Sequence, residues 1–267
     1  MKFIPFALSF LITFLCQSPV FASAEGLNVL FSQNHNEIYD LAGEKPFTMQ
    51  KFSALLTAQG ITVLSLNQGK LDDEILKGVD VLVFTYPQEN LSKEEIEAIK
   101  KYVANGGGLI VLGGQRCRDY VNPLLTYFEM EMGFDVLQLD GKNILMMQPT
   151  THEIFSFVEE YKYYTGPAVL VEDPTWIIYQ VSISGDDWPI TVSREYGAGR
   201  VFVSGDADFL NNYHFEAHDN AQLGYNIILY TGGRQPIKLE ETNRFEWVAV
   251  IVALTALAIL GLKKVLF

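Results

Sequence analysis

Cysteine is almost absent from this 267-residue chain. Only Cys16 and Cys117 occur, and Cys16 lies in an apolar N-terminal stretch, so the body carries a lone thiol and no intrachain disulfide. Positive charge is scarce too, with 19 Lys and Arg against 32 Asp and Glu. Setting aside Lys2 at one end and Arg244, Glu246, Lys263 and Lys264 at the other leaves 15 basic and 31 acidic residues, a net charge of −16 on the body between. That surface repels nucleic acid and anionic lipid headgroups, so no nucleic-acid partner is expected. It suits a domain held off a membrane, or one that attracts cations. Internal repeats and low-complexity tracts are missing as well, and the roughly 220 residues of the body are enough for one large α/β domain with a full core.

Long apolar runs occur only at the ends. The first reads MKFIPFALSFLITFLCQSPVFASA. Lys2 precedes an apolar core from Phe3 to about Leu15, Pro19 breaks any helix, and Ala22-Ser23-Ala24 supplies the small residues a signal peptidase reads. Residues 1–24 are therefore expected to be a signal peptide. Phe14 and Leu15 are too bulky for a lipoprotein signal at Cys16. At the other end, Trp247 to Leu262 contains no charge and Lys263-Lys264 close it. That stretch spans roughly 24 Å as helix, and snorkelling lysines extend it toward the ~30 Å hydrocarbon core. Trp247 suits the interface, and the Lys pair places the C-terminus in the cytoplasm. The expected organisation is a signal peptide (1–24), an α/β domain (25–231), a polar tether (232–245), a transmembrane helix (246–264) and a cytoplasmic end (265–267). The main domain then lies outside the cytoplasm on a single-pass anchor, beside a membrane-protein partner.

Between the ends, strand and helix patterns alternate. Leu27 to Phe31 reads as a strand, Thr48 to Gln59 as a helix, and Ile61 to Leu64 as a second strand. Leu71 to Leu76 reads as a short helix and Val79 to Phe84 as a strand apolar on both faces. In LSKEEIEAIKKYVANGGG, Ser92 and Glu95 form a capping box, and Ile96, Ile99, Tyr102 and Val103 make a buried stripe. Leu109 to Leu112 is the next strand. The middle is less regular, with a strand at Trp176 to Val181. Pro189 to Val192 and Arg200 to Val203 then form a hairpin through Tyr196-Gly197-Ala198-Gly199, and Asn220 to Leu229 is a final helix. Repeated strand–helix–strand order implies α/β architecture, a mostly parallel open sheet with helices on both faces.

Three blocks, DVLVF…P…LSKEEIEAIKKYVANGGGLIVLGG, WPITVSREYGAGRVFVSGDADF and DNAQLGYNIILY, carry a family resemblance. Together they resemble the class I glutamine amidotransferase-like superfamily, and most nearly its membrane-tethered DUF4350-type branch. That branch is similar to the extracytoplasmic domain of gliding-motility-type ABC transporter auxiliary proteins. The resemblance implies a flavodoxin-like sheet and an accessory role beside a transporter.

Catalytic members of that superfamily place a Cys on a tight strand-to-helix elbow. Cys117, in LGGQRCRDY, is the candidate here, and flanking Arg116 and Arg118 favour a thiolate. The G-x-C-x-G elbow is absent. Gly113-Gly114 can offer N–H groups to an anion, or simply let the chain leave the sheet. Asp206 and Asp208 follow the strand ending at Val203, at the sheet edge where ligands gather, and are candidates for ligand or cation binding. They equally suit capping and loop N–H groups. His35, in the loop after the first strand, pairs with Asp206 as the candidate for any surviving catalysis. His214 and His218 have i, i+4 metal spacing but no H-E-x-x-H around them. No cofactor is expected. The leading expectation is a non-catalytic ligand- or protein-binding domain. The alternatives are a hydrolase of glycan or peptide using His35 and Asp206, and a structural spacer.

Overall fold

A computed structural model describes residues 26–42, 45–137, 145–147, 150–164 and 166–239, with backbone only for 145–147. The expected signal peptide and transmembrane helix lie outside the described residues. Among those described, no helix is long and apolar enough to cross a membrane.

The chain runs β1 (Asn28–Ser32), α1 (Gln50–Ala58), β2 (Thr62–Leu66), β3 (Val81–Thr85), α2 (Lys93–Ala104), β4 (Gly108–Leu112) and α3 (Arg118–Leu125). It continues through β5 (Met130–Val136), β6 (Leu145–Met147), β7 (Tyr161–Tyr163), β8 (Pro167–Val171), β9 (Ile177–Ile183), β10 (Asp186–Tyr196), β11 (Gly199–Ser204) and α4 (Asn220–Thr231). A seven-stranded sheet has the order β2-β1-β3-β4-β11-β10-β9. The first five strands are parallel, and β10 and β9 extend them antiparallel. The parallel part has the doubly wound order 2-1-3-4-5, with its switch point between β1 and β3. Two small ribbons, β5–β8 and β6–β7, lie outside the main sheet.

Alternation along the central strands supplies both cores. Val29, Phe31, Val81, Val83, Ile110, Leu112 and Phe202 face one side, where α1 and α4 bring Phe52, Leu56, Leu223 and Ile227. Leu30, Leu82, Phe84, Leu109, Val111, Val201 and Val203 face the other, where α2 and α3 bring Ile96, Ile99, Val103, Val121 and Leu125. Strands β3 and β4 are buried at every position, as strands covered on both faces must be. Helix α2 starts with the expected capping box: Ser92 Oγ accepts from Glu95 N (3.3 Å), and Ser92 N donates to Glu95 Oε2 (2.9 Å). Such a cap contributes about 1 kcal/mol. The β10–β11 hairpin turns through Gly197, whose φ of +62° meets the mirror-image turn that two-residue hairpins favour.

The short helix expected at Leu71 to Leu76 does not form; the segment is a run of turns. Asp72 Oδ1 accepts from the N–H groups of Glu74 and Ile75, as a helix N-cap does, but the turns it starts stop at Gly78, whose φ is +79°. In consequence the crossover from β2 to β3 brings no regular helix to the sheet.

Candidate functional site

In a doubly wound sheet the ligand crevice opens beyond the carboxyl ends of the strands, at the switch point. Here that position is filled by the chain itself. The loop after β1 folds across it: Ile38 N donates to Tyr86 O (3.1 Å), Gln88 N donates to His35 O (2.9 Å), and Thr85 Oγ1 donates to Tyr39 O (2.9 Å). Gln33 ties the loop to itself, giving Nε2 to Tyr39 O (3.2 Å) and accepting from Leu41 N (3.1 Å).

His35 is buried in a polar cluster beneath this loop. Its Nδ1 lies 3.0 Å from Ser32 Oγ and its Nε2 lies 3.2 Å from Glu95 Oε1. Ser32 Oγ donates to Glu37 Oε1 (2.5 Å), and Glu37 Oε2 accepts from His35 N (3.0 Å). Glu95 also accepts from Leu71 N (3.1 Å), so one carboxylate joins the ends of β1 and β2 to the start of α2. Burial alone would raise the Glu95 pKa. The Ser92 and Leu71 N–H groups, the Ser92 hydroxyl and nearby His35 outweigh it and hold the carboxyl below its ordinary range. Ser32, His35, Glu37 and Glu95 make a serine–histidine–acid chain in connectivity. Ser32 is fully buried, so a substrate has no route to its hydroxyl.

Asp206 follows β11 and is fully buried. Its Oδ2 accepts from Tyr164 N and its Oδ1 from Asp208 N, both at 2.8 Å. Burial of Tyr163, with the Asp206 charge beside it, pushes the tyrosine hydroxyl's pKa well up. Beside it lies a cavity of about 10 Å³, the size that holds one water, lined by Tyr161, Tyr163, Thr191 and Ser204 among apolar neighbours. Asp208 is half-buried, and burial raises its carboxyl to about 6. Among the described residues, no group of three His, Cys, Asp or Glu side chains is placed to hold a metal ion.

Cys117 sits at the start of α3 with no exposed surface, its Sγ 3.5 Å from Gly114 O. Burial pushes its pKa up to about 12, although Arg116 and Arg118 flank it in sequence. Gly113 N donates to Ser204 O (2.8 Å), tying β4 to β11. Gly114 lets the Tyr86 ring approach; a Cβ there would come within 2.0 Å of it. Tyr86 has φ +64°, a strained value for a bulky residue, and its hydroxyl accepts from Arg116 N (2.9 Å). Burial raises its pKa. The structure does not bring His35 and Asp206 together. Strands β3 and β4 stand between β1 and β11, a separation on the order of 14 Å at ordinary strand spacing.

Sequence reasoning missed Ser32, Glu37 and Tyr86, and read Glu95 only as a cap. The run SQNHNE did carry a signal, because a Ser, a His and a Glu within six residues after a strand can meet once the loop turns back.

One part of this edge is open. Phe47 and Tyr213 are 66% and 72% exposed. Their loops are bound together: Asn212 N donates to Thr48 O (2.7 Å), Tyr213 N to Pro46 O (3.1 Å) and Lys51 N to Asn212 Oδ1 (2.8 Å). Lys51 also pairs with Glu216 (2.7 Å). Tyr213 packs edge-on against His214, which stacks on Tyr164 at 3.5 Å between centroids.

A family model described as "Domain of unknown function (DUF4350)" matches residues 46–228. The chain belongs to the DUF4350 family. Its fold is shared with the mmIFT52 N-terminal domain, at 18% identity and TM-score 0.63 over 79% of this chain and 100% of that one. It is also similar to the cytoplasmic protein STM1381 from Salmonella typhimurium LT2 (15%, TM-score 0.55, 77% and 99%). A ThuA-like protein from Bacteroides uniformis gives 12% and 0.52 over 81% and 97%. At these identities the likeness is one of fold. No curated protein matches this chain. The DUF4350 span takes in the open aromatic edge, Asp206 and Cys117, while β1 and His35 precede it.

Proposed function

We propose that this DUF4350 chain is a non-catalytic binding domain, held outside the cytoplasm by its C-terminal apolar segment and serving a membrane assembly. The observation that carries the reading is the closed crevice at the switch point, where loop 33–41 occupies the place a substrate would take. A thiol pushed up to about 12 supports it, because the thiolate is the nucleophile. The 2-1-3-4-5 strand order and the three sequence blocks support an amidotransferase-like scaffold beneath this role, and the same blocks support an ABC-type transporter as the assembly. Recognition is assigned to Phe47 and Tyr213. Exposed aromatics on loops already locked by hydrogen bonds offer contact area at low ordering cost.

The test is capture of partners by the full chain from native membranes, comparing the native protein with a Phe47→Ala/Tyr213→Ala double variant. Because hot-spot truncations typically exceed 2 kcal/mol, recovery of the captured protein should fall about tenfold or more, with the unfolding midpoint unchanged. Equal recovery by both, or no captured protein at all, overturns the reading.

The hydrolase alternative, built on His35 and Asp206, loses support because β3 and β4 stand between the strands that carry them.

A further inference from the structure

Strand β2 closes one end of the main sheet, with β1 as its sole strand neighbour among the described residues. Its inward bonds alternate: Thr62 N donates to Leu27 O and Leu66 O accepts from Gln33 N, both at 2.9 Å. Thr62, Leu64 and Leu66 therefore point their peptide groups at β1, and Val63 and Ser65 point theirs outward.

Natural sheets guard such an edge with charge, proline, a bulge or a covering element. The opposite edge has one such guard: β9 meets β10 through register shifts between Pro189 and Val192. Among the described residues, strand β2, TVLSL, has none of them. The missing helix in the β2–β3 crossover also leaves the face beside β2 thinly covered. Leu64 is 41% exposed and Ile75, in that crossover, 39%.

Charge decides what fits this edge. No residue from Phe52 to Gly69 is charged, in a chain where 19% of residues are. That run includes most of α1 as well as β2, and the two pack together. Two copies of a body with net charge −16 repel over most of their surfaces, but not here. The strand is also self-complementary. Turned antiparallel on itself about Leu64, it sets Val63 opposite Ser65 of the other copy, and each such pair exchanges both of its outward N–H···O bonds. Leu64 then meets Leu64 at the close, non-hydrogen-bonded position, covering the exposed apolar side chain.

We propose that β2 is a homodimer edge, where two copies pair antiparallel about Leu64 and join their sheets into one. The pairing is isologous, so it closes at two subunits.

Cysteine at the dyad gives the test, since Cys117 is buried and leaves the introduced thiol as the reactive one in the body. The full chain with Leu64→Cys is oxidised in freshly broken cells, beside a Glu97→Cys control on exposed α2. The expected result is a band at twice the chain mass for Leu64→Cys, and little for Glu97→Cys. Two differently tagged native copies, co-expressed, should also capture one another. Leu64→Lys, which sets two ammonium groups across the dyad on an exposed position, should cut that capture at least about tenfold. A monomeric Leu64→Cys chain, cross-linking to a different protein, or capture indifferent to Leu64→Lys each overturns the proposal.

Discussion

Replacing Asp208 with asparagine is expected to stabilise the protein by about 2 kcal/mol at pH 7 and to change little below about pH 4. Burial lifts this carboxyl from an ordinary 3.8 to about 6. Folding therefore favours the protonated acid. Between those two values the folded state binds more protons than the unfolded one, so stability falls as pH rises through the window. The difference corresponds to about 3 kcal/mol, of which local relaxation and water recover part. Asparagine removes the charge while keeping the shape. Urea unfolding of both proteins at about pH 4, 5, 6 and 7 measures the effect, and the two midpoints should converge toward the acid end. Parallel curves for the two proteins would show that Asp208 titrates near its ordinary value.

The second large effect has the opposite sign. Asp206→Ala is expected to cost about 3–5 kcal/mol. The carboxylate accepts from two backbone N–H groups, those of Tyr164 and Asp208, and Tyr164 N is buried with it. Hydrogen bonds to a charged group are worth about 1.5–3 kcal/mol each, and alanine leaves both donors orphaned. Asp206→Asn keeps one acceptor but turns an amide NH₂ toward a donor, so about half the loss is expected. At a urea dependence of about 2 kcal/mol per molar, the alanine midpoint should fall by more than about 1 M. An unchanged midpoint would show that Asp206 does not hold the loops that follow β7 and β11.

The two aspartates also show how far reasoning from residues reaches. Local signals were legible: the Ser92–Glu95 capping box, the glycine turn between β10 and β11, and the double-sided burial of β3 all follow from spacing within a few residues. Placing Asp206 and Asp208 just past a strand was legible too. What separates them was not, because it depends on Tyr164, 42 positions away, supplying an N–H to one and on burial raising the other. The His35 cluster has the same character. Glu95 reaches it from α2 across a closed loop, and its local role as a cap hides its distant one. Leu71 to Leu76 failed for a local reason that periodicity overlooks: Asp72 caps the segment as a helix start would, but Gly78 takes a left-handed backbone and stops the turns before a second helical turn forms. Tyr86 before Pro87 carries no signal for a left-handed backbone, since proline biases its predecessor toward extended structure.

The central claim is that Ser32, His35, Asp206 and Cys117 at this sheet edge are buried inside the fold, the thiol most plainly. Alkylation of Cys117 in the intact protein across pH 6 to 9 tests it. A buried thiol with its pKa pushed up to about 12 should react only through opening of the protein, slowly, with its rate rising with added urea and titrating no lower than an exposed thiol's value of about 8.5. Rapid labelling of the folded protein at neutral pH, with a titration below about 8, would contradict the account and return Cys117 to the role of a nucleophile.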